Sequence, residues 1–82
     1  MSSEPKNLVT VQTALRILLM YSEDETEIGV TELSKRLAVS KSTIHRLAVT
    51  LVNHDMLKQN PVNRKYRLGG ALLKLGDLVR AQ

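Results

Sequence analysis

The chain has 82 residues, no cysteine, twelve Lys or Arg against eight Asp or Glu, and a formal charge of +4; that is the size of one small domain, without disulfides, a thiolate zinc site or a cysteine nucleophile. Its longest apolar run, Ile17-Leu18-Leu19-Met20-Tyr21, is far short of the roughly 20 residues a membrane span needs, and the polar segment 1–7 lacks the layout of a signal peptide. A content of 43% hydrophobic residues in periodic order excludes a wholly disordered chain, and two aromatic residues, Tyr21 and Tyr66, are too few for a stacking platform that binds single strands.

In chain order, residues 1–7 are expected to be a flexible tail. From Leu8 to Ser22 the apolar residues recur at helical spacing: Leu8, Val11, Leu15, Leu18 and Leu19 share one face, and Ala14, Ile17 and Tyr21 widen it. Gln12, Thr13 and Arg16 fill the rest. The apolar arc is wider than one small core requires, which points to a second buried contact such as a dimer partner. Residues 22–28 form an acidic stretch that reads as a solvated connector. Gly29-Val30 has room for a very short strand, after which Thr31 caps a helix from Glu32 to about Leu37, with Leu33 and Leu37 facing inward.

Ala38-Val39 makes a tight turn, and Ser40 is the N-cap of a helix from Lys41 to about His54. Ile44, Leu47, Ala48, Leu51 and Val52 form its apolar stripe; Ser42, Arg46, Val49 and Asn53 lie opposite, with His45 at the border. The period then changes from 3.6 to about 2 over residues 56–59 and 65–68, joined by the turn-rich Asn60-Pro61-Val62-Asn63-Arg64. After Gly69-Gly70, residues 71–80 form a last amphipathic helix carrying Leu72, Leu75, Leu78 and Val79.

Charge follows this order. Residues 1–32 carry Lys6 and Arg16 against six carboxylates, a net −4; residues 33–82 carry ten basic residues against Asp55 and Asp77, a net +8. A basic half of this size suits a polyanion. The element order is helix, helix, tight turn, helix, hairpin, helix: a mainly α, winged helix-turn-helix with a three-helix core, a two-stranded wing and a closing helix. The third helix offers Lys41, Ser42, His45 and Arg46 in its first turn, and such a helix reads base edges in the major groove with its N-terminal residues. Arg64, Lys65 and Arg67 on the hairpin are positioned to meet a neighbouring stretch of backbone. Lys35 and Arg36 lie on the helix before the turn, where such folds cross phosphates.

Four segments, Val11–Leu18, Gly29–Leu37, Ser40–Leu47 (Ser-Lys-Ser-Thr-Ile-His-Arg-Leu) and Lys65–Gly69 (Lys-Tyr-Arg-Leu-Gly), together resemble the DNA-binding domain of the IclR family of bacterial transcriptional regulators. The resemblance covers about residues 8–80. It implies a winged helix-turn-helix over 8–70, a linker helix over 71–82, and a small-molecule effector bound by a C-terminal domain outside these residues. It also implies double-stranded DNA as partner, bound at a palindromic operator by a homodimer or dimer of dimers, and a cytoplasmic location. The expected DNA-binding set is Lys35, Arg36, Ser40, Lys41, Ser42, Thr43, His45, Arg46, Arg64, Lys65 and Arg67. The expected dimer surface is Leu8, Val11, Ala14, Ile17, Leu18, Tyr21, Leu72 and Leu75.

The chain departs from the family at Ala38, Asp55 and Arg64, where glycine is usual; the first two are helix C-terminal positions that favour a positive φ. At the wing tip Asn63 is expected to take the left-handed conformation in place of Arg64. Position 56, often aromatic in the family, is Met here. No set of nucleophile, base and orienting acid points to an enzyme, His45 and His54 lack the partners of a metal site, and no cofactor is implied. A winged helix that binds protein rather than DNA is the alternative; a membrane-surface role would need a basic amphipathic helix with bulky anchors, which the last helix lacks.

Overall fold

The computed structural model describes residues 6–82 and contains four helices and one two-stranded antiparallel sheet. In chain order these are α1 (Lys6–Leu18), α2 (Val30–Leu37), α3 (Lys41–Asn53), β1 (Leu57–Gln59), β2 (Tyr66–Leu68) and α4 (Gly70–Arg80). Of the tail expected over residues 1–7, the first five lie outside the described residues, and Lys6 and Asn7 already belong to α1. No described helix is long and apolar enough to cross a membrane.

The core is built from Ile17, Ile28, Leu33, Leu37, Ile44, Ala48, Leu57 and Tyr66. Leu47, Leu51 and Val52 pack against it from α3, as the apolar stripe of that helix requires. Helix α1 turns a different face inward from the one its leucines suggest. Its buried positions are Thr13 and Ile17, one helical turn apart, with Leu18 packed beside them; Leu8, Val11 and Leu15 face outward, each about half exposed. The Thr13 hydroxyl donates to the Val9 carbonyl at 3.0 Å, so a threonine enters the core with its polar atom satisfied and its methyl left to pack. Ile17 and the ring of Tyr21 therefore serve this domain's own core. This corrects the assignment of Ile17 to an intermolecular surface, because Ile17 has no exposed area to offer.

Helix α1 ends at Leu18 rather than Ser22, because the chain turns at Leu19-Met20 and folds back through a Ser22–Glu25 bridge. The short strand expected at Gly29-Val30 falls one residue earlier. Ile28 and Tyr66 exchange both backbone hydrogen bonds, at 2.9 and 3.0 Å, adding a single rung to the edge of the β1–β2 sheet. Gly29, in extended conformation, then caps α2 without a side-chain bond, so Thr31 lies inside the helix and is not its cap.

Helices α2 and α3 close in the same way at their C-terminal ends. At the end of α2, Val39 N donates to Ser34 O and Ala38 N to Lys35 O; at the end of α3, Met56 N donates to Leu51 O and Asp55 N to Val52 O. These are Schellman closures, whose C′ residue must be left-handed. Ala38 (φ 56°) and Asp55 (φ 59°) supply it without glycine, as their positions led one to expect. The third such residue is Arg64 itself (φ 66°) and not Asn63.

Helix α4 starts against the α3 closure. Gly69 N donates to Met56 O and Ala71 N to Asp55 O, and a Cβ on the buried Gly69 would stand 2.3 Å from the Asp55 carbonyl oxygen. Beyond this root none of the α4 residues is buried. Two stability changes follow. Gly69→Ala should cost about 1–3 kcal/mol, the usual penalty of overpacking against an immobile group, whereas Ala38→Gly, which removes a Cβ from a left-handed residue, should leave the urea midpoint unchanged or raise it.

The Tyr21 hydroxyl donates to the Tyr66 carbonyl at 2.9 Å. Burial, and then the neighbouring Tyr66, Glu25 and Glu27, push its pKa from 10.0 up to about 12. A raised value in the folded state means that this stabilisation is complete below the ordinary phenol value and is lost as the pH rises through about 12. Subtracting the alkaline absorbance titration of Tyr21→Phe from that of the native chain should isolate a step near 12, and the variant should lose about 1 kcal/mol of stability.

Candidate nucleic-acid interface

Helix α3 is positioned by its two ends. At its start the Ser40 Oγ accepts from Thr43 N at 3.3 Å and bonds the Thr43 hydroxyl at 2.9 Å, with the Ser42 hydroxyl 3.3 Å away. Ser40 is thus the N-cap, and Thr43 supports that cap from a half-buried position. The hydrophobic stripe of α3 fixes its rotation, so that Lys41, Ser42, His45, Arg46, Val49 and Asn53 form one exposed face. Ser42, His45, Arg46 and Val49 lie within an arc of about 100° on that face.

The wing stands beside it. β1 and β2 pair with Leu57 opposite Leu68, Lys58 opposite Arg67 and Gln59 opposite Tyr66. Leu57 and Tyr66 point into the core, which leaves Lys58 and Arg67 on the outer surface. Lys58 was not among the expected contacts, although strand alternation puts it on the same face as Arg67. Directly opposed like charges destabilise a hairpin, and neither residue makes a salt bridge among the described residues. At the tip, Arg64 and Lys65 are exposed and equally unpaired.

A cleft of about 750 Å³ separates α2 and α3 from the wing. Arg36, His45, Gln59, Arg64 and Lys65 line it together with Glu25, Glu27 and Glu32. All three carboxylates have partners. Arg36 Nη1 and Nη2 reach the two Glu25 oxygens at 2.6 and 2.5 Å, and its Nε reaches Glu32 at 2.8 Å. The Arg36 bond holds Glu25 below the usual carboxylate range, and the guanidinium is raised in turn, by Glu25 first and Glu32 second. Glu27 accepts from Asn63 Nδ2 at 3.0 Å and Asn60 Nδ2 at 3.1 Å, and these bonds, in that order, lower its pKa.

The structure therefore divides the expected residues into two groups. Lys35, Lys41, Arg46, Arg64, Lys65 and Arg67 carry charges with no ion-pair partner among the described residues. Three of the five N–H donors of Arg36 are taken up by Glu25 and Glu32, so this side chain ties the acidic segment to α2. That segment is a structural strap and not the solvated connector its composition suggests. Among the described residues no cluster of His, Asp or Glu has the makings of a metal site.

The outward faces of α1 and α4 make up the rest of the notable surface. Leu8, Val11, Leu15 and Leu75 are about half exposed and Leu73, Leu78 and Val79 more so, while Ala14, Leu18 and Leu72 are partly covered.

Known proteins share this architecture and sequence. The IclR helix-turn-helix domain model matches residues 10–61. The HTH-type transcriptional regulator XynR of Escherichia coli K12 is 46% identical over 70 residues, 85% of this chain and 28% of that protein. KdgR of the same organism is 34% identical, covering 99% of this chain and 33% of its own length. A solved IclR transcriptional regulator from Silicibacter sp. TM1040 superposes with a TM-score of 0.83 at 33% identity, covering 88% of this chain and 28% of that one. The chain thus spans about a third or less of the relatives it matches. With the family model covering most of its length, and with the capped helix α3, the Schellman turns and the wing in place, the chain belongs to the IclR family and carries that family's helix-turn-helix domain.

Proposed function

We propose that this domain binds duplex DNA sequence-specifically, as the DNA-binding part of a bacterial transcriptional regulator in the cytoplasm. Helix α3 enters the major groove with Ser42, His45, Arg46 and Val49 toward the bases, Lys35, Lys41 and the N-terminal turn at Ser40 and Thr43 toward phosphates, and the wing on the adjacent backbone or minor groove. The observation that carries this reading is the set of unpaired cations. The capped helix and the hairpin hold Arg46, Lys58, Arg64, Lys65 and Arg67 without a salt-bridge partner among the described residues, and a polyanion would relieve the opposed Lys58–Arg67 pair.

The outward faces of α1 and α4 support assembly as a dimer. Leu8, Val11, Leu15, Leu73, Leu75 and Leu78 are each about half exposed or more, and burial against a second copy would take these apolar side chains out of water. A two-fold dimer would read a palindromic operator. Because the relatives are about three times as long, the effector and its sensing domain belong to the rest of such a protein. A winged helix that binds only protein would not require an unpaired Arg46 above an ordered N-cap.

Selection from random duplex DNA at two salt concentrations tests binding, site and half-site spacing together; the absence of duplex binding even at low salt would leave the protein-binding alternative. On the selected site, Arg46→Ala should cost about 1–3 kcal/mol while changing nonspecific binding much less. Arg64→Ala should weaken specific and nonspecific binding about equally and reduce the salt slope by about 1. Equal losses from both changes on every sequence would remove Arg46 as a base reader. Arg67→Thr separates stability from function: it should raise the hairpin's contribution to stability by about 0.2–1 kcal/mol and still weaken DNA binding.

A further inference from the structure

We propose that Glu27 is a positioning residue for the wing: its single carboxylate fastens both asparagines of the wing turn, and so sets where Arg64 and Lys65 stand relative to α3. The inference rests on the DNA-binding reading above.

The geometry runs through two side-chain amides that each do two things. Asn63 donates its Nδ2 to Glu27 Oε1 at 3.0 Å and accepts from Lys65 N through its Oδ1 at 2.9 Å. Asn60 donates its Nδ2 to Glu27 Oε2 at 3.1 Å and accepts from Val62 N through its Oδ1 at 2.8 Å. A carboxylate is an acceptor only, so it turns both amides with nitrogen toward itself and both oxygens toward the turn's backbone. Those oxygens then hold the N–H groups on either side of Asn63, and the turn is closed by Arg64 N on Asn60 O and Asn60 N on Lys65 O, both at 2.8 Å. Arg64 sits within this frame at a φ of 66°, a conformation a non-glycine residue keeps only where its surroundings over-determine it.

Glu27 is itself held from both sides. Glu25, two residues before it, is gripped by Arg36 of α2, and Ile28, the residue after it, exchanges backbone bonds with Tyr66 at the root of the wing. The carboxylate therefore links the reading unit to a tip 33 and 36 residues further along the chain. This explains an acidic side chain in a cleft that otherwise suits phosphate. Its negative charge opposes DNA, but the alignment it imposes on two cations favours binding, and the second effect dominates if the wing must be ordered before it meets the backbone.

The test compares Glu27→Ala and Glu27→Gln in the native chain and in an Arg64→Ala/Lys65→Ala background. Binding to the selected duplex and amide hydrogen exchange of residues 62–65 are both measured. Glu27→Ala should weaken binding about five- to tenfold in the native background and less than about twofold in the background without wing-tip cations, the non-additivity of residues that act as a unit. Glu27→Gln, which keeps the length but offers one acceptor oxygen to two donating amides, should recover only part of the loss. Exchange at residues 62–65 should accelerate about tenfold in Glu27→Ala, with amides of α2 and α3 unchanged.

Unchanged or tighter binding by Glu27→Ala would make the carboxylate merely a repulsive charge and overturn the proposal, as would an equal loss in both backgrounds or unaltered exchange at the tip. A native chain that binds no duplex fails the DNA reading and overturns the binding role of Glu27 with it. Normal binding by the native chain with an indifferent Glu27→Ala sinks this proposal alone.

Discussion

The backbone exchange between Ile28 and Tyr66 is the interaction on which the rest of the arrangement depends. A two-stranded hairpin of three-residue strands has little stability of its own, and β1 and β2 are such strands. The rung at Ile28 joins that hairpin to the segment leading into α2. Tyr66 then becomes the common partner of three regions. Its side chain is buried in the core, its N–H donates to Ile28, and its carbonyl accepts from both Ile28 N and the Tyr21 hydroxyl. Without this connection the wing would lose its backbone tie to the segment that leads into α2, and the angle between α3 and the wing would rest on side-chain packing, the Glu27 bonds and the α3–β1 corner.

Tight closure of helices is the second constraint, and it is met without glycine where glycine would be easiest. A Schellman closure needs a left-handed C′ residue, and Ala38 and Asp55 both adopt it. The strain is tolerated because the residues after them are tied down: Val39 packs against the core, Met56 is half-buried, and the N–H groups of both complete the six-residue bonds. The second closure has a further use. Its Asp55 carbonyl, facing a position that admits only glycine, receives the first turn of α4. A helix with no buried residue of its own is in this way aimed from the globular body.

Local signals made much of this legible in the sequence. The Ser40 cap, the inward leucines of α2, the α3 stripe, the strand alternation and the left-handed positions at Ala38 and Asp55 are all fixed by neighbours a few residues away, so a linear reading recovers them. What escaped it depends on distant partners. The acidic residues at 25 and 27 look like solvent-facing charge until Arg36, Asn60 and Asn63 are brought beside them. Arg36 looks like a free cation for the same reason. On α1 the apolar arc is too wide for periodicity to show which part faces the core; α2 and α3 select the Thr13–Ile17 stripe, and the larger apolar surface is left outside.

That distribution bears on the charge as well. The excess of four positive charges understates the field around α3 and the wing, because four of the eight carboxylates are held by other partners. Glu25 and Glu32 are bound by Arg36, Glu27 by two neutral amides, and Asp77 by Arg80 on the far helix. None of these pairs neutralises Arg46, Lys58, Arg64, Lys65 or Arg67. Exposed ion pairs add little to stability in any case, so their value here is geometric. They fix a strap and a wing tip while leaving the cations of α3 and the hairpin without a salt-bridge partner among the described residues. A domain that used the same carboxylates to pair those cations would have the same net charge and no comparable positive face. The placement of the acids, more than the number of bases, gives this small domain its polarity.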